Sequence, residues 1–254
     1  MKLENLTLLL RDGLANRMRV IASIAHFAKQ GVQIKVLWLM NWALNCEYEK
    51  LFCPIDGFVF INIKNEPRMF HSYQNNIIKR YISKIYNKLK GYDYVFTKGE
   101  TNVPLQLKPI FDNYQNVYVA MCYCLTDKED YSIFKPSTHV CDILNHFNFN
   151  NYIGIHIRRG DHISSTDKSP INLFIDYIDN MSNNEKIYIA TDSPDLKYLL
   201  TKIYSPERII SNTFVLDRNS SKGIIYAYVD MLILSKSKFI IGSQYSSFDE
   251  VVAN

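Results

Sequence analysis

Cysteine, glycine and an excess of charge of either sign are all scarce in this sequence, and each scarcity removes a class of protein. The five cysteines among 254 residues, Cys46, Cys53, Cys122, Cys124 and Cys141, are odd in number and lack paired zinc-like spacing. Neither a disulfide framework nor a structural metal is indicated, and free buried thiols in a reducing compartment are expected. Lysine and arginine total 29 against 25 aspartates and glutamates, a balance of +4 that is too small for nucleic-acid binding across the surface. Any anionic partner must be met locally. Apolar runs such as "VLWLM" fall well short of a membrane span, and the amino end "MKLENLTLLLRD" is too short in apolar residues for a signal peptide and carries Glu4 in the wrong place. A soluble cytoplasmic protein is expected. The nine glycines never form a dinucleotide fingerprint or a P-loop, no kinase catalytic loop occurs, and no Asp-x-Asp pair is present to hold a metal on a diphosphate.

What is present is an alternation of strands and helices over a chain whose 47% hydrophobic content supplies cores for two small domains. Residues 6–10 read as a strand, and "RDGLANRMRVIASIAHFAKQG" places Leu14, Met18, Ile21, Ala22, Ala25 and Ala28 at helical spacing before Gly31. "VQIKVLWLM" follows as a second strand, completing the unit that builds parallel sheets. "GFVFINI" and "NVYVAMCYCL" read as further strands, with "YQNNIIKRYISKIYNKLK" an amphipathic helix. In the second half, strands are predicted at "YIGIHI", "KIYIA", "RIIS" and "KFIIG". The helices between them are announced by Ser169 with Pro170 and by Ser193 with Pro194, each pair a cap and a first-turn residue. The loop "HFNFNN" at 146–151 divides residues 1–147 from 148–254.

Chemistry concentrates where these strands end. In "YIGIHIRRGD", His156 and Arg158 project to one face of the strand and Arg159 to the other, Gly160 lets the chain turn, and Asp161 can fix the guanidinium groups. Ligands of open α/β sheets sit beyond strand carboxyl ends, and an arginine fork suits phosphate oxygens. The plainer reading is an internal salt bridge between Arg159 and Asp161 beside a satisfied histidine; "RGD" as an adhesion tripeptide has no export signal to support it. In "IGSQYSSFDEVVA", Ser246 and Ser247 precede a helix, where they could receive a phosphate or serve only as caps. Asp192, just past "IYIAT", could accept from a base or ribose or cap the next helix.

Taken in order, "GLANRMR", "GIHIRRGD", "IYIATDSPDL" and "DMLILSKSKFIIGSQYSSF" resemble the fucosyltransferase superfamily, which includes the peptide O-fucosyltransferases and the α1,2- and α1,6-fucosyltransferases. The resemblance spans most of the second half and a short part of the first. It implies an α/β fold of the GT-B type, two Rossmann-like domains with parallel sheets facing across a cleft, the first on the acceptor side and the second binding the nucleotide sugar. It implies transfer of a sugar, fucose from GDP-fucose above all, to a glycan or lipid-linked acceptor, with inversion and without metal or other cofactor. Arg158 resembles the arginine on the β-phosphate, with His156 beside the nucleotide, Asp161 supporting the arginines, Arg159 and Gly160 among the donor-binding residues, and Asp192 near base and ribose. Ser246, Ser247 and Phe248 resemble the turn that receives the diphosphate, and Gly13, Ala15 and Asn16 the turn that approaches donor and acceptor from the other domain. Arg158, Asp161 and Asn16 carry the catalytic expectation. Ala15 stands where many relatives have glycine and Arg17 where many have glutamine. Asp161 and Asp12 are the candidates for a base, though a loose, cation-like sugar needs none.

Two other functions fit parts of the pattern: a protein that binds a nucleotide or phosphosugar without transferring it, and a phosphotransfer enzyme with Asp161 or Asp192 as nucleophile. Separately, "RMFHSYQNNIIKRYISKIYNKLK" contains Arg68, Lys79, Arg80, Lys84, Lys88 and Lys90 and no acidic residue. Its stripe of Ile78, Ile82, Ile85 and Leu89 either packs on the domain beneath a solvated basic face or rests on anionic lipid at the inner face of a membrane.

Overall fold

The alternating apolar signals become two all-parallel sheets in the computed structural model, which describes residues 1–73, 75–97, 103–148, 150–160, 163–212, 214 and 217–254, and of residues 163–165 the backbone alone. The chain divides into two compact units, Met1–Ser137 and Thr138–Asn254.

The first unit runs β1 (Asn5–Leu10), α1 (Leu14–Lys29), β2 (Gln33–Leu39), β3 (Phe58–Ile63), α2 (Ile77–Leu89), β4 (Tyr94–Phe96), α3 (Val103–Asn113) and β5 (Asn116–Ala120). Its strands lie in the order β3, β2, β1, β5, β4. β1 is flanked by partners on both sides and buries five consecutive residues from Leu6, the near-continuous apolar run of a strand covered on both faces. Gly31 closes α1 at φ +87, a left-handed position that favours glycine. Neither β4 nor α3 was legible: "YVF" is too short to alternate, and Pro104 and Pro109 in α3 read as breaks.

The second unit runs α4 (Thr138–Leu144), β6 (Tyr152–Ile157), α5 (Ile163–Lys168), α6 (Ile171–Asp179), β7 (Lys186–Thr191), α7 (Pro194–Tyr204), β8 (Ile209–Ile210), α8 (Ser221–Leu234), β9 (Ile240–Ile241) and α9 (Ser247–Val252). The units part ahead of the loop expected to divide them, because α4, an element the sequence did not announce, packs on α8. The strand order is β8, β7, β6, β9. Ile153, Ile155 and Ile157 of β6 join Ile187 and Ile189 of β7 in a core closed by Phe174, Ile178, Leu196 and Leu200 from α6 and α7. Each such side chain contributes about 2 kcal/mol by leaving water. The opposite face of β6 carries Tyr152, Gly154 and His156. At Gly154 a Cβ would lie 2.7 Å from Ser237 Oγ and 2.9 Å from Leu234 Cδ2, so glycine lets the end of α8 lie against the strand.

Ser193 caps α7 as its sequence announces, accepting from Leu196 N–H at 3.3 Å with Pro194 in the first turn. Ser169 does not cap α6. Pro170 occupies the N-cap position, and the Ser169 hydroxyl instead accepts the N–H of Gln244 at 2.9 Å.

Between β7 and α8 lies a buried polar cluster that the sequence did not reveal. Tyr188 and Asn212 both donate to Asp230 Oδ1, and Lys197 Nζ donates to Asn212 Oδ1 at 2.9 Å. Burial pushes Asp230 up to about 6, opposed by the Tyr188 and Asn212 hydrogen bonds and by the charges of Lys197 and His156. Burial likewise lowers Lys197, opposed by Asp230. Because folding raises the Asp230 pKa, the folded state holds that proton more tightly, and Asp230 makes stability fall as pH rises from about 4 to about 6. Asp230→Asn should remove that slope. Urea unfolding at pH 4 and pH 7 is expected to show the parent losing about 2 kcal/mol more than the variant over the interval; equal changes would refute the assignment.

Candidate functional site

Strand order in the second sheet reverses at β6, with β7 and β8 on one side and β9 on the other. The carboxyl ends of β6 and β9 therefore flank a switch point, the place where open α/β sheets hold ligands. Arg158, Arg159 and Gly160 follow β6, Asp192 follows β7, and Ser246, Ser247 and Phe248 follow β9, so one rim carries them all. Asp161 lies outside the described residues.

The turn after β6 is built by its neighbours. Asp192 Oδ1 accepts the N–H of Arg159 at 2.7 Å and Oδ2 that of Gly160 at 3.0 Å. A Cβ on Gly160 would come 2.7 Å from Asp192 Oδ2, so the glycine admits the carboxylate. Asp192 does not cap α7, a role Ser193 takes; it clamps the turn. Arg159 donates to the carbonyls of Arg158 at 2.7 Å and Ser169 at 2.8 Å, and its guanidinium lies 5.7 Å from the Phe174 ring centre. Burial lowers its pKa, opposed by the charge of Asp192. Arg159, expected among the donor-binding residues, has its guanidinium committed to the protein's own backbone.

Arg158 is half-buried, and its backbone N–H donates to Ser243 Oγ at 2.9 Å. Ser243 Oγ in turn donates to the His156 carbonyl at 3.3 Å, stitching the ends of β6 and β9 together. His156 is buried, with Nδ1 2.7 Å from Asp249 Oδ1, at ion-pair distance though off the line of the ring N–H. Its ring stacks on Phe248 with centres 4.4 Å apart and planes 24° from parallel. With the Nδ1 proton assigned toward Asp249, Nε2 is the nitrogen left to address a ligand. Asp249 fits because position 242 is glycine: a Cβ there would lie 2.5 Å from Asp249 Cγ. Ser246 is buried and caps α9, its hydroxyl accepting from Asp249 N–H at 3.4 Å, while Ser247 opens that six-residue helix. Tyr245, between them and β9, holds the left-handed φ of +61, a conformation that costs a non-glycine residue about 1 kcal/mol.

Three contributors escaped the sequence. Ser243 looks like an ordinary loop serine, and Ser169 like a helix cap, until the fold sets them against Arg158 and Gln244. Asp249 sits in the motif "SSFDE" but reads as a first-turn acidic residue. Among the described residues no cluster of three or more His, Cys, Asp or Glu could hold a metal ion.

In the first unit, the residues singled out lie at the N-cap and in the first turn of α1. Gly13 is the N-cap of α1 with no side-chain cap, and its φ of −63 makes no demand for glycine. Ala15 is buried and Asn16 half-buried. Arg17 is 1% exposed and braces the carboxyl ends of two strands: Nε donates to the Asp12 carbonyl at 2.5 Å and one terminal nitrogen to the Leu39 carbonyl at 2.7 Å. Its guanidinium lies 4.7 Å from the Trp38 ring centre, and burial lowers its pKa to about 9, opposed by Asp12.

The sequence matches no protein-family model and no curated protein. The structure does have relatives. It is similar to the crystal structure of NodZ α-1,6-fucosyltransferase soaked with GDP-fucose, with a TM-score of 0.63 at 15% identity, covering 98% of this chain and 91% of that one. The selenomethionine form of the fucosyltransferase NodZ from Bradyrhizobium matches with a TM-score of 0.64 at 15% identity and the same coverage. The apo-form of POFUT1 matches with 0.52 at 11% identity, covering 99% of this chain and 94% of that one. The chain has the two-sheet α/β fold seen in the solved structures of NodZ and POFUT1.

Proposed function

We propose that this chain is a glycosyltransferase that takes its sugar from a nucleoside diphosphate donor, GDP-fucose foremost, and passes it to a glycan or lipid-linked hydroxyl with inversion. The observation that carries the reading is the rim at the β6–β9 switch point, where Arg158 stands beside His156 on a turn clamped by Asp192, Arg159 and Ser243. Support comes also from the motif resemblance and from the fold of NodZ, which was soaked with GDP-fucose.

In the reaction, the bond from the anomeric carbon to the β-phosphate oxygen breaks as the acceptor oxygen approaches the opposite face, and negative charge gathers on the diphosphate. Arg158 faces that charge as a planar fork, and catalysis follows because the contact strengthens as the sugar departs. Gln244, Ser247 and Phe248 complete the rim beyond β9, with His156 Nε2 available to the nucleotide. The acceptor's proton leaves to solvent; the cation-like sugar needs little help from a base. Asp192 suits phosphotransfer poorly, since both of its oxygens already accept backbone hydrogen bonds.

The test is selective stabilisation followed by transfer. GDP should raise the melting temperature more than UDP, TDP or ADP, by the equivalent of about 3 kcal/mol when present at a hundred times its Kd. GDP-fucose should then be consumed only when an acceptor is supplied, with activity undiminished in chelator. A larger shift with UDP would replace the nucleotide, loss of activity in EDTA with rescue by manganese would overturn the metal-free mechanism, and binding without transfer to any acceptor would leave a nucleotide-binding protein.

A further inference from the structure

Helix α2 is folded with its apolar stripe facing outward. The buried positions on it are Ser83 and Asn87, and the helix is anchored by polar contacts: Asn87 Nδ2 donates to the Phe70 carbonyl at 2.7 Å and Tyr86 Oη to the Arg68 carbonyl at 3.2 Å. With successive residues turned by roughly 100°, Ile77, Ile78, Tyr81, Ile82, Ile85 and Leu89 occupy the arc opposite Ser83 and Asn87. All six are exposed, from 46% for Ile85 to 82% for Leu89. Leaving such an arc in water forfeits about 1.5–3 kcal/mol for each large side chain that could be buried, so a continuous stripe of this kind marks a surface that meets something.

The flanks identify the partner. Lys84 and Lys88 border the arc on one side and Lys79 on the other, and α2 contains no acidic residue. Along the Lys84–Lys88 edge runs a groove of about 630 Å³, walled by Ile85 and Leu89 on the apolar side and by Lys2, Lys84 and Lys88, with Asp93 paired to Lys88 at 2.6 Å. A second copy of the chain docking symmetrically would press these lysines together. An apolar ridge between rows of lysine fits an anionic bilayer, where isoleucine and leucine enter the acyl boundary, tyrosine rests at headgroup depth and lysine reaches the phosphates. We infer that α2 docks this protein on the surface of an anionic membrane, a role that stands independently of sugar transfer.

Co-sedimentation of the full chain with vesicles tests it. Binding is expected to vesicles of mixed phosphatidylglycerol and phosphatidylcholine, to weaken as salt is added, and to be absent with phosphatidylcholine alone. Lys79→Gln with Lys84→Gln should lower the partition coefficient about twenty-five-fold, close to fivefold for each charge. Ile82→Ser with Leu89→Ser should lower it at least as far while leaving the melting temperature unchanged, since both side chains are already in water. Arg158→Lys should sediment as the parent does, which keeps this outcome separate from the fate of the transferase reading. No sedimentation at low salt, equal binding to neutral vesicles, or a concentration-dependent dimer that the serine variant dissociates would each overturn the inference.

Discussion

Arg158→Lys is expected to fold normally and to lose turnover by about a hundredfold, because lysine keeps the charge but not the paired geometry that meets a departing diphosphate. Its neighbour predicts the opposite pattern. Arg159 spends its guanidinium on the carbonyls of Arg158 and Ser169, so Arg159→Lys should lower stability by about 1–3 kcal/mol and leave turnover within a few-fold in molecules that remain folded. Two identical substitutions, one residue apart, thus separate phosphate contact from bracing. Melting temperature and single-turnover rate for both variants decide it. A folded Arg158→Lys protein with undiminished turnover would remove Arg158 from the chemistry.

The second large effect belongs to Asp192→Ala. Its carboxylate receives the N–H groups of Arg159 and Gly160, and deleting two charge-assisted hydrogen bonds should lower stability by about 3 kcal/mol. The turn that presents Arg158 would loosen at the same time, so donor Kd is expected to rise at least tenfold. Asp192→Asn, which can accept one of the two bonds, should fall between. Calorimetry of unfolding and of GDP binding on the same samples distinguishes the roles: a rise in Kd with no loss of stability would return Asp192 to the place the motif resemblance gave it, in contact with base or ribose.

Period and capping chemistry are local, and they located the four strands of the second sheet and the start of α7 at Ser193. The rim was legible because parallel strands must all end on one side, so residues after separate strands were bound to meet. What each rim residue does was less legible, because hydrogen-bond partners are set by the fold. Ser169, written as a cap, finds Gln244, 75 residues away. Asp192, written as a ligand contact or a cap, finds the backbone of a turn 32 residues before it. Helix α2 is the sharper case, since its periodicity gave the stripe correctly but could not say which side of the helix the sheet would take. Polar anchors at Asn87 and Tyr86 decided that, through carbonyls of a loop with no periodicity to read.

The strand order of the first sheet sets a timetable for the chain as it is made. β1, β2 and β3 can assemble in sequence, yet β1 then presents an unpaired edge, because its other neighbour is β5 and their register begins at Asn5 with Asn116. β4, though synthesised earlier than β5, has β5 as its one neighbour in the sheet among the described residues. The strand that completes the middle of the sheet is thus the last to emerge, and its Asn116 side chain closes a contact spanning 111 residues with Asn5. Contacts of such separation form slowly, and an open apolar edge is a template for pairing with another chain. Until β5 emerges, β1 therefore keeps one open edge, although it ends as one of the most enclosed strands of the sheet.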